Sequence, residues 1–204
     1  MPDPTSCKIM CYLIEWVRAG TGVTASGLGE KSDLTGLPKP VRSYGRRATE
    51  IQAFQDNIPG NYCWGCGNLN EHGLQIKSYW SGDEAVCTWQ PEPYHAAGPL
   101  HVVNGGIIAT IIDCHSVCTA IAAAYRAEGR QIGTEPLIWY VTSSLQVTYL
   151  RPTPIDQPLV LRAQIQEMNE GKTLLTCSLF GKGEECARGE VLAVRVSNAW
   201  LEAP

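Results

Sequence analysis

The hydrophobic positions change period along this chain, and each change marks an element. LQIKSYW (74–80) and AVCTWQ (85–90) are short, strand-like runs of apolar and β-favouring residues that flank SGDE. Such runs around a Gly-Asp turn predict two strands in a hairpin. EPYHAAGPLHVV (92–103) follows no period and holds two prolines and two histidines, so it reads as a loop. From about Gly105 to Ala127 nearly every position is apolar, and Glu128-Gly129 follows. This predicts one helix of about 35 Å, buried nearly all round, that stops at the glycine. Four more strands are expected: IWYVTSSLQVTYL (138–150), LVLRAQIQEM (159–168), TLLTCSLF (173–180) and VLAVRVSNAWL (191–201). NEGK and GKGEE supply turns between the later ones.

Two strands, one long buried helix and four strands make an α+β chain. An antiparallel sheet wrapped around one central helix satisfies that order. A doubly wound fold does not, because the alternating helices it needs are missing. Upstream, residues 20–50 are rich in Gly, Ser, Thr and charge and resemble a linker or loosely packed arm. Residues 51–73 are compact and irregular and include NYCWGCGNLNEHG. The expected organisation is an N-terminal arm over 1–55 and one domain over 56–204.

Composition narrows the function classes. The chain has 204 residues and a net charge of −4, with no basic stripe. Nucleic acid and anionic membrane are therefore not expected partners. Nine cysteines, an odd number, fall partly inside apolar runs, which does not resemble a disulfide scaffold. The first apolar stretch is short, contains Glu15 and Arg18, and follows no basic segment, unlike a signal peptide. Asp113, His115 and Ser116 interrupt the long apolar run, unlike a membrane span. A cytoplasmic location is the expectation.

The chemistry concentrates in NGGIIATIIDCHS (104–116). Asn104 is a good N-cap, and Gly105 and Gly106 occupy the first helical turn, where backbone N–H groups lack helical partners. These amides carry the positive end of the helix dipole, and glycine lets a ligand approach them closely. They suit an oxyanion hole for acyl transfer. Equally, the glycines could relieve crowding where helix meets sheet. Asp113 lies eight residues past Gly105 (113 − 105), about 12 Å along the axis. One bound carbonyl cannot touch both. If they serve one site, two helices must lie antiparallel, with Gly105 of one subunit facing Asp113 of the other across a two-fold axis. The alternative is an Asp113 that bonds locally to Thr110, Ser116 or nearby backbone.

Other candidates carry weaker patterns. Cys63-x-x-Cys66 could begin a zinc site with His72, or with Cys114 and Cys118. Cys114 and Cys118 sit in the buried helix and read as small core residues, so no metal is expected. Trp139 and Tyr140 could line an acyl pocket. Arg151, Lys172 and Arg188 could meet phosphates.

The combination of Asn104-Gly105-Gly106 with Asp113 resembles the hotdog-fold acyl-CoA thioesterases, in the branch of phenylacetyl-CoA and 4-hydroxybenzoyl-CoA thioesterases with an acidic residue on the central helix. That family typically has His-Gly-Gly with an acid nine positions after the histidine. The likeness runs from Tyr62 to Leu201 and includes CWGCG (63–67), HGL (72–74), YLRPTP (149–154) and NEGKT (169–173). It implies a hotdog fold, a homodimer that can pair into a dimer of dimers, an acyl-CoA substrate, and no cofactor beyond the coenzyme A of the substrate. It implies that the Gly105 amide polarises the thioester carbonyl and that Asp113 acts as nucleophile or general base. Thr142, with Ser143 and Ser144 nearby, would help place water. Gly106, His101, Ser143 and Arg151 are the candidate substrate contacts. The departure is Asn104 for histidine: asparagine caps a helix and hydrogen-bonds a ligand but does not titrate near neutral pH. Two other functions share these residues. One is an acyl-CoA-binding protein without turnover. The other is a hotdog dehydratase or hydratase pairing His101 or His95 with Asp113.

Overall fold

A computed structural model describes residues 52–201. Six strands form one antiparallel sheet: β1 (Ser78–Ser81), β2 (Glu84–Trp89), β3 (Trp139–Tyr149), β4 (Leu159–Met168), β5 (Lys172–Gly181) and β6 (Glu184–Val196). Their order across the sheet is β1-β2-β4-β5-β6-β3. One long helix, α1 (Gly105–Ala127), packs against it, and a short helix, α2 (Asn198–Leu201), follows β6. The α+β arrangement expected from the pattern is the one observed.

The core lies between α1 and the sheet. Ile111 and Ile112 of α1 meet Leu159, Leu161, Leu175, Leu179 and Val191, all fully buried. Removing such side chains from water is the main favourable term, about 1.5–3 kcal/mol each. The approach is close. A Cβ on Gly189 of β6 would lie 2.4 Å from Ile112 Cγ2, so the helix seats where the sheet has no side chain. The length and hydropathy of α1 alone would suit a membrane crossing, yet here most of it is packed inside the fold.

The buried Gln55, Ser78 and His115 satisfy one another in a chain. Gln55 Nε2 donates to Ser78 Oγ, which lies 2.8 Å from His115 Nδ1, and His115 Nε2 reaches the Ala85 carbonyl. Burial pushes the His115 pKa down to about 4, so the ring stays neutral, with Nδ1 accepting and Nε2 donating. Gln55 and Phe54 therefore belong to the packed unit, just ahead of the boundary expected at residue 56. The rest of the expected arm lies outside the described residues.

Two strand expectations need correction. The first strand begins at Ser78 rather than at Leu74. Gln75 adopts φ +48°, and the Leu74 and Ile76 amides bond to the Trp64 and Gly65 carbonyls. The last strand runs Glu184–Val196 and gives way to α2, instead of spanning 191–201. Lys182 and Gly183, at φ +55° and +77°, form a two-residue turn, so Glu184 and Glu185 already pair with β5. The loop over 92–103 contains one turn of 3-10 helix, Pro93–His95.

Candidate active site

The start of α1 is fixed from both sides. The Asn104 amide donates to the His95 carbonyl at 2.9 Å, and the Asn104 side chain accepts from Gly106 N at 2.8 Å and Ile107 N at 3.4 Å. Asn104 is thus a working N-cap. It occupies the Gly106 amide, so Gly106 has no free N–H to offer a ligand. The Gly105 amide precedes these two and has no acceptor among the described residues. The Tyr149 hydroxyl donates to the Gly105 carbonyl at 2.8 Å, tying the end of β3 to the helix start.

Asp113 lies two turns further along α1, half-buried. Its partner is neither of the local hydroxyls. Thr110 Oγ1 donates to the Gly106 carbonyl and Ser116 Oγ to the Ile112 carbonyl. Instead Thr142 Oγ1, on β3, donates to Asp113 Oδ1 at 2.5 Å. Burial raises the Asp113 pKa, and the Thr142 hydrogen bond acts in the opposite sense. A β-bulge falls at this point: Thr142 pairs with Ala193 and Ser144 with Leu192, leaving Ser143 as the extra residue. Bulges re-aim side chains. Ser143 is exposed and makes no hydrogen bond to Asp113 among the described residues.

Asp113 and Thr142 open onto a cavity of about 230 Å³. Trp139, Tyr140 and Val141 of β3 form one wall, Val117 and Ile121 of α1 another, and Ile58 and Asn61 a third. Trp139 and Tyr140 do line this pocket. A carboxylate at the edge of an apolar chamber can act on a reactive carbonyl whose apolar substituent fills the chamber.

The cavity also holds the four cysteines that the sequence offered as one of two possible metal sets, with Cys114 and Cys118 then read as core residues. Cys63, Cys66, Cys114 and Cys118 all line it. The Sγ atoms of Cys63, Cys66 and Cys114 lie within 4.8 Å of one another. Hydrogen bonds from Cys114, Cys118 and Cys63 hold the Cys66 thiol well below the ordinary range. Hydrogen bonding to Cys63 and Cys66 pushes Cys114 up, and the bond to Cys66 does the same for Cys118. The signal for this cluster was a C-x-x-C pair plus two cysteines one helical turn apart.

His101 and Arg151 come together elsewhere. Both line a separate groove of about 300 Å³, with Pro154, Lys182 and Glu184. Arg151 pairs with Glu184 at 2.7 Å, and Arg188 with Glu185 at 2.7 Å. His95 is likewise engaged, its Nδ1 accepting from the Glu92 amide at 2.9 Å. No described hydrogen bond joins either histidine to Asp113.

The sequence profile of the Thioesterase superfamily matches residues 100–186, which include Asn104, Asp113 and Thr142. A thioesterase superfamily protein from Shewanella loihica is 34% identical, and the likeness covers 63% of this chain and 96% of that one, with a TM-score of 0.50. The chain belongs to the thioesterase superfamily. Mouse acyl-coenzyme A thioesterase THEM4 is 27% identical over 100 residues, covering 49% of this chain and 37% of that protein. The matched region is therefore well under half the length of that curated relative. The Escherichia coli PaaI protein from the phenylacetic acid degradation operon is similar in fold, at 15% identity and a TM-score of 0.50 over 61% of this chain and 81% of that one. In this superfamily member the sheet and central helix form the hotdog arrangement, with Asp113 on the helix and Thr142 on the edge strand β3.

Proposed function

We propose that the protein hydrolyses an acyl-CoA thioester to the free acid and coenzyme A. The observation that carries this is the Asp113–Thr142 pair at the edge of an apolar cavity. The superfamily and the mouse acyl-CoA thioesterase support it.

The acyl group enters the cavity beside Trp139 and Tyr140. Asp113 takes a proton from water as the oxygen attacks the thioester carbonyl. A carboxyl whose pKa burial has raised is a stronger base than a free one. Thr142 holds that carboxylate by one oxygen and leaves the other for water. The carbonyl oxygen, now negative, accepts from a Gly105 N–H. The C–S bond then breaks, and the coenzyme A thiolate leaves with the proton.

Gly105 and Asp113 of one chain sit about 12 Å apart on a continuous helix, so the donor comes from a second copy of the chain. Two observations support a homodimer. β3 pairs with β6 on one side and, among the described residues, is the sheet edge on the other. An edge of 11 residues is long enough to invite pairing. The Asn104 cap, which spares Gly105, favours turnover over simple acyl-CoA binding. His95, engaged with the Glu92 amide, and His101, which lines a separate groove, give a dehydratase reading less support.

Release of free thiol from aliphatic and aromatic acyl-CoAs tests the reading. Wild type should turn over at least one class, and Asp113→Ala should lose about 10²–10⁴-fold in kcat. No turnover of any acyl-CoA by wild type would contradict it.

A further inference from the structure

Cys63-Trp-Gly-Cys66-Gly lies in an irregular segment, and Cys114 and Cys118 lie one turn apart on α1. Nothing in the proposed hydrolysis uses four thiols. The fold nevertheless brings them to one place. Gly67 N donates to the Cys63 carbonyl at 2.7 Å, closing a tight turn that sets Cys63 and Cys66 together. This turn presses on the helix. A Cβ at Gly65 would fall 2.4 Å from Cys114 Sγ and 2.9 Å from Thr110 Cγ2, so no other residue fits between the two cysteines. Cys63 Sγ is 3.6 Å from Cys114 Sγ, and Cys118 Sγ is 3.7 Å from Cys66 Sγ.

Cys63, Cys66 and Cys114 have their Sγ atoms within 4.8 Å of one another, while Cys118, close to Cys66, lies beyond that distance from at least one of the other two and joins them by a rotation of its side chain. The three close thiols match a definite chemistry. Zinc bound tetrahedrally by thiolates at about 2.3 Å separates neighbouring sulfurs by about 3.8 Å. A disulfide needs its sulfurs at about 2.05 Å. Soft thiolates in a C-x-x-C turn facing two cysteines on a helix select zinc over hard cations. An N–H donor also sits where an outer partner would: Asn61 Nδ2 lies 3.7 Å from Cys66 Sγ. Cys66, Cys114 and Cys118 are buried, which shields such a centre from competing water.

We propose that Cys63, Cys66, Cys114 and Cys118 bind one zinc ion, pinning the 61–67 segment to the turn of α1 that carries Asp113. Cys63, Cys66 and Cys114 form the base of the site, and Cys118 supplies the fourth ligand. The thiols release their protons to solvent on binding. Four sulfur ligands leave no open position, so the metal is structural and does not touch the thioester. It fixes one wall of the cavity.

The test uses the full chain, purified without metal-affinity resin, dialysed against zinc and freed of excess. Elemental analysis should give about one zinc per chain. Cobalt in its place should give the intense visible absorption of a tetrahedral thiolate centre. Cys66→Ser and Cys118→Ser should retain less than about a tenth of that metal, while Cys87→Ser, in β2, keeps it. If the ligand variants fold poorly, the wild-type stoichiometry and cobalt spectrum decide alone. Wild type that stays metal-free, Cys63–Cys114 or Cys66–Cys118 disulfide peptides in unreduced protein, or full zinc in Cys118→Ser would each overturn the assignment.

Discussion

Thr142 donates its hydroxyl proton to Asp113 across the gap between edge strand and central helix, at 2.5 Å. That bond fixes which carboxylate oxygen is occupied and which is free for water. Thr142→Val keeps the shape of the residue and deletes the donor. Without it, the carboxylate loses its fixed orientation, and kcat should fall about 10- to 100-fold with KM little changed. Thr142→Ser should recover most of the loss. Steady-state thiol release on the best acyl-CoA checks both variants. A Val variant with unchanged kcat would remove Thr142 from the chemistry.

Asn104 holds the helix start through two backbone amides. Asn104→Ala should cost about 1 kcal/mol in urea unfolding, and Asn104→Ser should restore most of it, because serine also caps well. An alanine variant as stable as wild type would mean that the cap contributes nothing.

Burial lowers the pKa of His95, with Glu92 opposing the shift. The ring packs against Trp89 and Tyr94, and its Nδ1 must stay unprotonated to accept from the Glu92 amide. The folded pKa is the lower one, so the unfolded chain binds the proton first as pH falls. The stability from neutral His95 is complete above its unfolded pKa of about 6.5 and is lost as pH falls below that toward the folded value. Wild type should therefore lose more stability than His95→Asn between about pH 7.5 and pH 5. Because the His95 carbonyl holds the Asn104 amide, this titration reaches the helix start. Parallel curves for the two proteins would contradict the assignment.

Much of this fold is legible in the sequence, and the failures have local causes. α1 is read correctly over Gly105–Ala127 because a capping residue, a long and mostly apolar run and a terminal glycine all agree. β6 is misread because Glu184 and Glu185 look like turn residues, yet the two-residue turn at Lys182-Gly183 commits them to the ladder. β1 is misread because the amides of Leu74 and Ile76 find partners ten or more residues earlier, in a segment with no period. In the site, Asp113 is conspicuous as a lone carboxylate in an apolar helix, and Thr142 follows as a hydroxyl on the next strand. The thiol cluster is legible only as one alternative, beside a set with His72, because Cys114 and Cys118 also read as small core residues. Cys63 and Cys114 are 51 residues apart, and half of the cluster comes from an irregular segment whose course no hydrophobic pattern specifies. His101 and Arg151 look suitable by chemistry alone, but the fold sends them to another groove.

In the proposed enzyme each site takes Asp113 from one chain and the Gly105 amide from another. Subunit complementation checks this sharing. Asp113→Ala removes the base. Gly105→Pro removes the N–H at the first helical position, where proline is tolerated, and Asn104 already has the extended backbone that proline requires of its predecessor. Each variant alone should be inactive on the best acyl-CoA. In dimers re-formed from an equal mixture, half should be mixed, each with one intact site, and activity should return to about a quarter of wild type. A mixture that stays as inactive as its components, although mixed dimers form, would contradict a site shared between chains.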